Sequence, residues 1–163
     1  GIIPLIESAR AVLAADSLAS LSGVVGLMLG AEDFTVDMEI ERSKSGEEIS
    51  YPRARIAIAA RANRVIAVDT PFTDVNDEDG LASDAARARA LGMSAKAAIH
   101  PRQVEIINRV FSPRPAQIEW ATRVLEKSKA EKGVFSLDGK MVDQPVIERA
   151  KTIIEKAKRY KLL

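Results

Sequence analysis

Two carboxylates, Glu7 and Asp33, stand where this sequence can most readily build chemistry. Each follows an apolar run: Ile2-Ile3-Pro4-Leu5-Ile6 leads into Glu7, and Val24 to Gly30 leads into Ala31-Glu32-Asp33. Near-continuous apolar runs of this length read as strands of a parallel sheet. Where helices join such strands, reactive groups collect past the carboxyl ends. The acids lie 26 positions apart, room for a helix, a strand and two turns, so both can meet on one rim. Two carboxylates, with water and an oxygen-bearing substrate, satisfy the octahedral demand of Mg²⁺, which would then serve as Lewis acid and template. The simpler alternative gives Glu7 to the cap of the next helix and Asp33 to a turn. The backbone N–H groups of Gly30-Ala31-Glu32 are expected to hold a substrate carboxylate, because glycine permits close backbone approach.

The other candidates are weaker. His100 is the only histidine; the residue type suits a general base near neutral pH, but His-Pro opening a helix serves equally as a structural cap. Glu32 is a poorer metal ligand than Asp33, since adjacent residues seldom aim at one ion. Asp69 and Asp77 read as turn or cap residues. Lys96, between Ala95 and Ala97, can point into a barrel as a Schiff-base lysine does. Trp120 reads as a packing anchor.

The elements that must position these groups follow a regular order. Ser8 to Leu21 carries a loose helical stripe of Val12, Leu13, Leu18 and Leu21, ended by Ser22-Gly23. Ala31-Glu32-Asp33 is expected to start a loop, and the mixed-charge stretch 37–50 to be a solvated loop or flap. Pro52 and the alanine content favour helix over strand for 51–62. Arg64 to Val68 is a third strand, 81–91 a helix stopped by Gly92, Ala95 to Ile99 a fourth strand, and Pro101 opens a further helix. Four strand–helix units argue for a parallel sheet with helices packed on it. Their short period suits the (β/α)₈ barrel, of which residues 1–112 would form half, a whole barrel needing roughly 250 residues. No Gly-x-Gly-x-x-Gly follows a strand, which counts against a dinucleotide site. Ile3, Leu5, Val25, Leu27, Leu29, Val65, Ala67, Ala97 and Ile99 are the expected core. Residues 113–163 form an appendage: a helix, a hairpin turning at Asp138-Gly139, and a helix from Pro145. This appendage is expected to reach a neighbouring molecule. A half-barrel leaves two strand edges open, so a missing half, a partner chain or a second copy should complete it.

Composition excludes several classes. A net charge of +1 supplies no field for nucleic acid or an anionic membrane, and 4% aromatic residues are too few for base-stacking rows. The apolar run around Val24 to Leu29 is far too short to span a bilayer. The sequence has no cysteine, hence no disulfide or thiolate site; a reducing compartment, the cytoplasm, is the expected location. The chain starts inside a strand, without an initiator Met or a signal peptide, the pattern of a fragment or processed piece.

Six runs together resemble a family: Pro4-Leu5-Ile6-Glu7-Ser8-Ala9-Arg10, Leu29-Gly30-Ala31-Glu32-Asp33, Ala67-Val68-Asp69-Thr70-Pro71, Asp74 to Leu81, Ile99-His100-Pro101-Arg102-Gln103, and Asp138 to Asp143. In this order they are similar to the citrate lyase beta subunit and its malyl-CoA and citramalyl-CoA lyase relatives, and more distantly to class II pyruvate aldolases of the HpcH/HpaI superfamily. The resemblance implies a (β/α)₈ barrel that cleaves a carbon–carbon bond in a 3-hydroxyacyl-CoA, giving acetyl-CoA and a keto acid. It implies Mg²⁺ on Glu7 and Asp33, the keto acid on the amides of Gly30, Ala31 and Glu32, and Asp143 acting as the acid in an adjacent subunit of a trimer or hexamer. It also implies four further strands upstream, so that Glu7 would lie on the fifth. The alternatives are a half-barrel subunit needing a partner and a metal-dependent aldolase of pyruvate-type substrates.

Overall fold

The computed structural model describes residues 1–131 and 133–163. These fall into two compact units, 1–111 and 112–163. In the first unit, strand β1 (Leu5–Ile6) leads to helices α1 (Ala9–Leu13) and α2 (Ala15–Ala19). Strand β2 (Gly26–Leu29) leads to α3 (Ala31–Asp37), a 3₁₀ turn (Glu47–Ile49) and α4 (Ser50–Ala62). Strand β3 (Ile66–Asp69) is followed by α5 (Glu78–Ala90), and β4 (Ala95–Lys96) by α6 (Pro101–Phe111). The strands are parallel in the order β1-β2-β3-β4, and a bridge from Ile2 to Val24 extends the β1–β2 pair backwards.

The register sorts side chains onto two faces. Ile6 pairs with Leu29, Leu27 with Ala67, and Asp69 with Lys96; all six are buried under helices. Ile6, Leu27, Leu29 and Ala67 pack with Val12, Ala15, Phe34, Ile56, Leu81, Ile106 and Phe111 in one core. Alanines at 57, 59 and 60 of α4 are buried, and their small side chains let that helix approach the sheet closely. The opposite face carries Leu5, Met28, Val68 and Ala95 in one row, and no element of this unit covers it. There Leu5 is 53% exposed, and Ile66 folds across Gly26, where a methyl group would lie 2.5 Å from its Cγ1.

This one-sided cover corrects the expected core. Leu27, Leu29 and Ala67 are buried, but Ile3, Leu5, Val25 and Ile99 are exposed, and Val65 and Ala97 only half-buried. An apolar run announces a strand with two apolar faces; it does not say whether both are covered. The expected helix over Ser8 to Leu21 is two short helices meeting at Ala14, and the loop expected at Ala31 is instead α3.

In the second unit, α7 (Pro115–Ala130) is followed by an antiparallel hairpin, β5 (Phe135–Leu137) and β6 (Lys140–Val142), and by α8 (Gln144–Arg159). Asp138 and Gly139 both have positive φ, 52° and 74°, as the mirror-image two-residue turn requires. Ala121, Val124, Phe135, Val142 and Ala150 form the core, and Trp120 packs against it. Among the described residues no helix is long and apolar enough to cross a membrane.

Candidate active site

The register of β1 against β2 carries the two acids to one rim. Because Ile6 pairs with Leu29, Glu7 emerges beside Gly30, the residue preceding α3, and Asp33 lies in the first turn of that helix. A methyl group on Gly30 would come within 2.9 Å of both Cβ and Oε2 of Glu7, so only glycine lets this carboxylate lie over the start of α3. Glu7 does not cap α1: Ser8 does, accepting from the Ala11 amide at 3.2 Å. Asp37, at the other end of α3, accepts from the Ala9 amide at 2.7 Å and so ties α3 back to α1. Among the described residues neither Glu7 nor Asp33 has a hydrogen-bond or ion-pair partner. Two unpartnered carboxylates on adjoining elements are a donor set that fits Mg²⁺, which commonly takes one or two carboxylates and completes its shell with water and substrate. Among the described residues no group of three or more His, Cys, Asp or Glu could hold a metal.

Two of the three amides expected to bind substrate are already engaged. The Gly30 N–H donates to the Ile6 carbonyl at 3.0 Å, and the Ala31 N–H to the Thr70 hydroxyl at 3.2 Å. Of the three, these bonds leave the Glu32 amide, in the first turn of α3, where amides lack intrahelical acceptors. The Glu32 side chain turns away to Arg42, whose Nε donates to it at 3.1 Å while Nη1 pairs with Glu48. A cleft of ≈ 170 Å³ opens there between Glu32, Arg42, Lys44, Phe72 and Asp74.

His100 takes its structural alternative: Nδ1 accepts from the Arg102 amide at 3.2 Å at the start of α6. Asp77 caps α5 through the Gly80 amide at 2.8 Å. In the second unit, Asp143 caps α8, accepting at Oδ1 from the Val146 amide at 3.3 Å.

Lys96 and Asp69 are corrections. Lys96 does not point into a barrel. It lies on the helix-covered face, where Nζ donates to Asp69 at 2.7 Å, to Asp84 at 2.5 Å and to the Thr70 carbonyl at 2.8 Å. Asp69 is no turn residue; it takes a bidentate pair from Arg53 at 2.8 and 3.0 Å. Arg53 Nη2 also reaches both Asp84 oxygens, at 2.8 and 2.9 Å. All four side chains are at most 4% exposed. Burial alone would push the Asp84 carboxyl up, but Lys96 and Arg53 outweigh it and hold the group below its usual range. Burial likewise opposes the Arg53 charge, and Asp69 and Asp84 overcome it, so Arg53 is raised. Sequence reasoning missed this quartet. One signal was available: Asp84 sits on the buried stripe Leu81, Ala85, Ala88, where an unpaired carboxylate would not be tolerated.

The chain is similar to known proteins along most of its length. Residues 1–101 match the family model described as HpcH/HpaI aldolase/citrate lyase. The citrate lyase subunit beta of Haemophilus influenzae is 40% identical over 158 residues, covering 94% of this chain and 54% of that protein. The mitochondrial citramalyl-CoA lyase of Rattus norvegicus is 31% identical over 173 residues, covering 98% and 51%. Among solved structures, protein CitE of Mycobacterium tuberculosis in complex with magnesium, acetoacetate and coenzyme A is similar with a TM-score of 0.86 at 34% identity, over 96% of this chain and 60% of that one. The chain spans about half the length of the curated relatives it matches.

Proposed function

Since the chain belongs to the HpcH/HpaI aldolase/citrate lyase family, with its TIM-barrel type of fold, we propose that it supplies the metal-binding rim of a Mg²⁺-dependent carbon–carbon lyase. The substrate class is a 3-hydroxyacyl-CoA of the citryl, malyl or citramalyl type, and the products are acetyl-CoA and a keto acid. The observation that carries this reading is the Glu7 carboxylate lying against Gly30, at the start of the helix that bears Asp33, with both acids free of protein partners among the described residues. The magnesium, acetoacetate and coenzyme A bound by the M. tuberculosis relative support the same class.

Glu7 and Asp33 would hold the ion through carboxylate oxygens. When bound, Mg²⁺ polarises the oxygen that becomes the keto carbonyl and orients the keto acid. In the turn Gly30-Ala31-Glu32, the Glu32 amide is the donor left to face the keto-acid carboxylate, while Gly30 and Ala31 shape the turn. As the carbon–carbon bond breaks, the hydroxyl proton passes to solvent water and the bonding electron pair passes to the acetyl thioester, which takes up a proton at carbon. Asp143 of an adjacent copy is the proposed donor of that proton, so the working form is a homo-oligomer. The cytoplasm is the location proposed.

Incubation of the purified protein with citryl-, malyl- and citramalyl-CoA tests this. We expect Mg²⁺-dependent release of acetyl-CoA from at least one thioester, loss of release in EDTA, and a fall of about 10²–10⁴-fold in kcat for Asp143→Asn. Turnover that ignores EDTA, or aldol addition of pyruvate to aldehydes without thioester cleavage, contradicts it.

A second reading follows from the uncovered sheet face. Parallel sheets are ordinarily buried on both faces, yet Leu5 and Ile66 are 53 and 45% exposed. The unit then needs a complementary half-barrel before it turns over substrate. Light scattering of the isolated chain should report self-association or uptake of such a half; a stable monomer that takes up neither argues against it.

A further inference from the structure

The buried ion quartet makes no contact with the proposed metal ligands, but a continuous line of bonds runs from one to the other. Asp69 and Asp84 fix the Lys96 ammonium from two sides. The third proton of Lys96 goes to the Thr70 carbonyl at 2.8 Å. Thr70, 2% exposed, follows β3 directly, and its hydroxyl oxygen accepts from the Ala31 amide at 3.2 Å. Ala31 opens the helix whose first turn bears Asp33. Arg53 extends the cluster to α4, so α4, α5, β3 and β4 are all pinned to the backbone of Thr70.

We infer that Thr70 is a positioning residue: held by Lys96 through its carbonyl, it holds through its hydroxyl the first turn of α3, and so sets where Asp33 stands relative to Glu7. The inference deepens the metal-rim reading and rests on it for its functional meaning. The chemistry favours this role over mere packing. A polar tether between two successive strand–helix loops costs desolvation unless both ends are satisfied. Here each is satisfied by one partner, a lysine ammonium below and a helix-start amide across. α3 is short, seven residues, and gains little rigidity from its own hydrogen bonds, so its direction depends on such external ties. Outer partners that orient metal ligands typically cost about 10–100-fold in affinity when removed.

The test compares wild-type protein with Thr70→Val and Thr70→Ala, which delete the hydroxyl, and with Thr70→Ser, which keeps it. Two readouts are taken: hydrogen exchange of the Ala31, Glu32 and Asp33 amides without metal, and Mn²⁺ affinity by paramagnetic resonance. Loss of one hydrogen bond should speed exchange at Ala31 about fivefold, and Mn²⁺ binding should weaken about 10-fold, in both deletion variants. Thr70→Ser should restore both values, which a loss of methyl packing would not allow. Unchanged exchange at Ala31 in the deletion variants, or a Thr70→Ser variant as impaired as Thr70→Val, overturns the inference. If wild-type protein binds no Mn²⁺, the metal-rim reading fails, and the exchange comparison still decides whether Thr70 holds the turn.

Discussion

Replacing Lys96 by Met should destabilise the protein by about 3–5 kcal/mol, measured as a shift of the urea midpoint at unchanged slope. The methionine fits the volume, but Asp69 and Asp84 would then share the single charge of Arg53 in a site at most 4% exposed. An uncompensated buried charge, not the lost attraction, sets this cost. Restoring the charge balance in Lys96→Met/Asp84→Asn should recover part of the loss, because the two sites share one network. A single-variant loss under 1 kcal/mol would mean that water or rearrangement satisfies the carboxylates. The same cluster fixes an acid limit. Lys96 and Arg53 hold Asp84 below the usual carboxylate range, so in the folded state it keeps its charge to lower pH than in the unfolded chain. Its contribution is fully present above the unfolded value and is lost as pH falls through the lowered folded value. Wild-type stability should therefore drop steeply only below about pH 4, and acid unfolding of Lys96→Met should begin at higher pH, because the Lys96 ammonium that holds the Asp84 carboxyl down is gone.

Asp33→Asn and Glu7→Gln should each weaken Mg²⁺ or Mn²⁺ binding by at least about 100-fold, since even outer partners of metal ligands are worth 10–100-fold. Calorimetric titration measures it. Their effect on the apo protein should have the opposite character. Two carboxylates on one rim without a cation partner repel each other, so neutralising one should leave stability unchanged or raise it by about 0.5 kcal/mol. Loss of ligand affinity together with unimpaired folding separates a metal site from a structural pair. Variants that lose both in parallel would show that Glu7 and Asp33 maintain the fold.

The order of elements was legible because its signals are local. Apolar runs marked β2 and β3, Pro101, Pro115 and Pro145 stand in the first turns of α6, α7 and α8, and Asp138-Gly139 forms the hairpin turn its types demand. The placement of Glu7 just past β1 came from the same local reading, as did the burial of Leu27, Leu29 and Ala67. What escaped depends on partners distant in sequence. Leu5 is apolar on a face that nothing in this unit covers, and no pattern within a strand reports that. Asp33 proved helical because Gly30 and Ala31 gain their hydrogen-bond partners from Ile6 and Thr70, on other segments. The Arg53–Asp69–Lys96–Asp84 quartet joins residues 12 to 31 positions apart, so no single segment shows the pairing.

The most direct measurement of the central claim is the anomalous signal of Mn²⁺ soaked into crystals of this protein. We expect one strong peak at the rim, with a carboxylate oxygen of Glu7 and one of Asp33 each about 2.1 Å away and water on the remaining positions. A peak held by only one of them, or carboxylates directed to separate surfaces with no ion between, would contradict it.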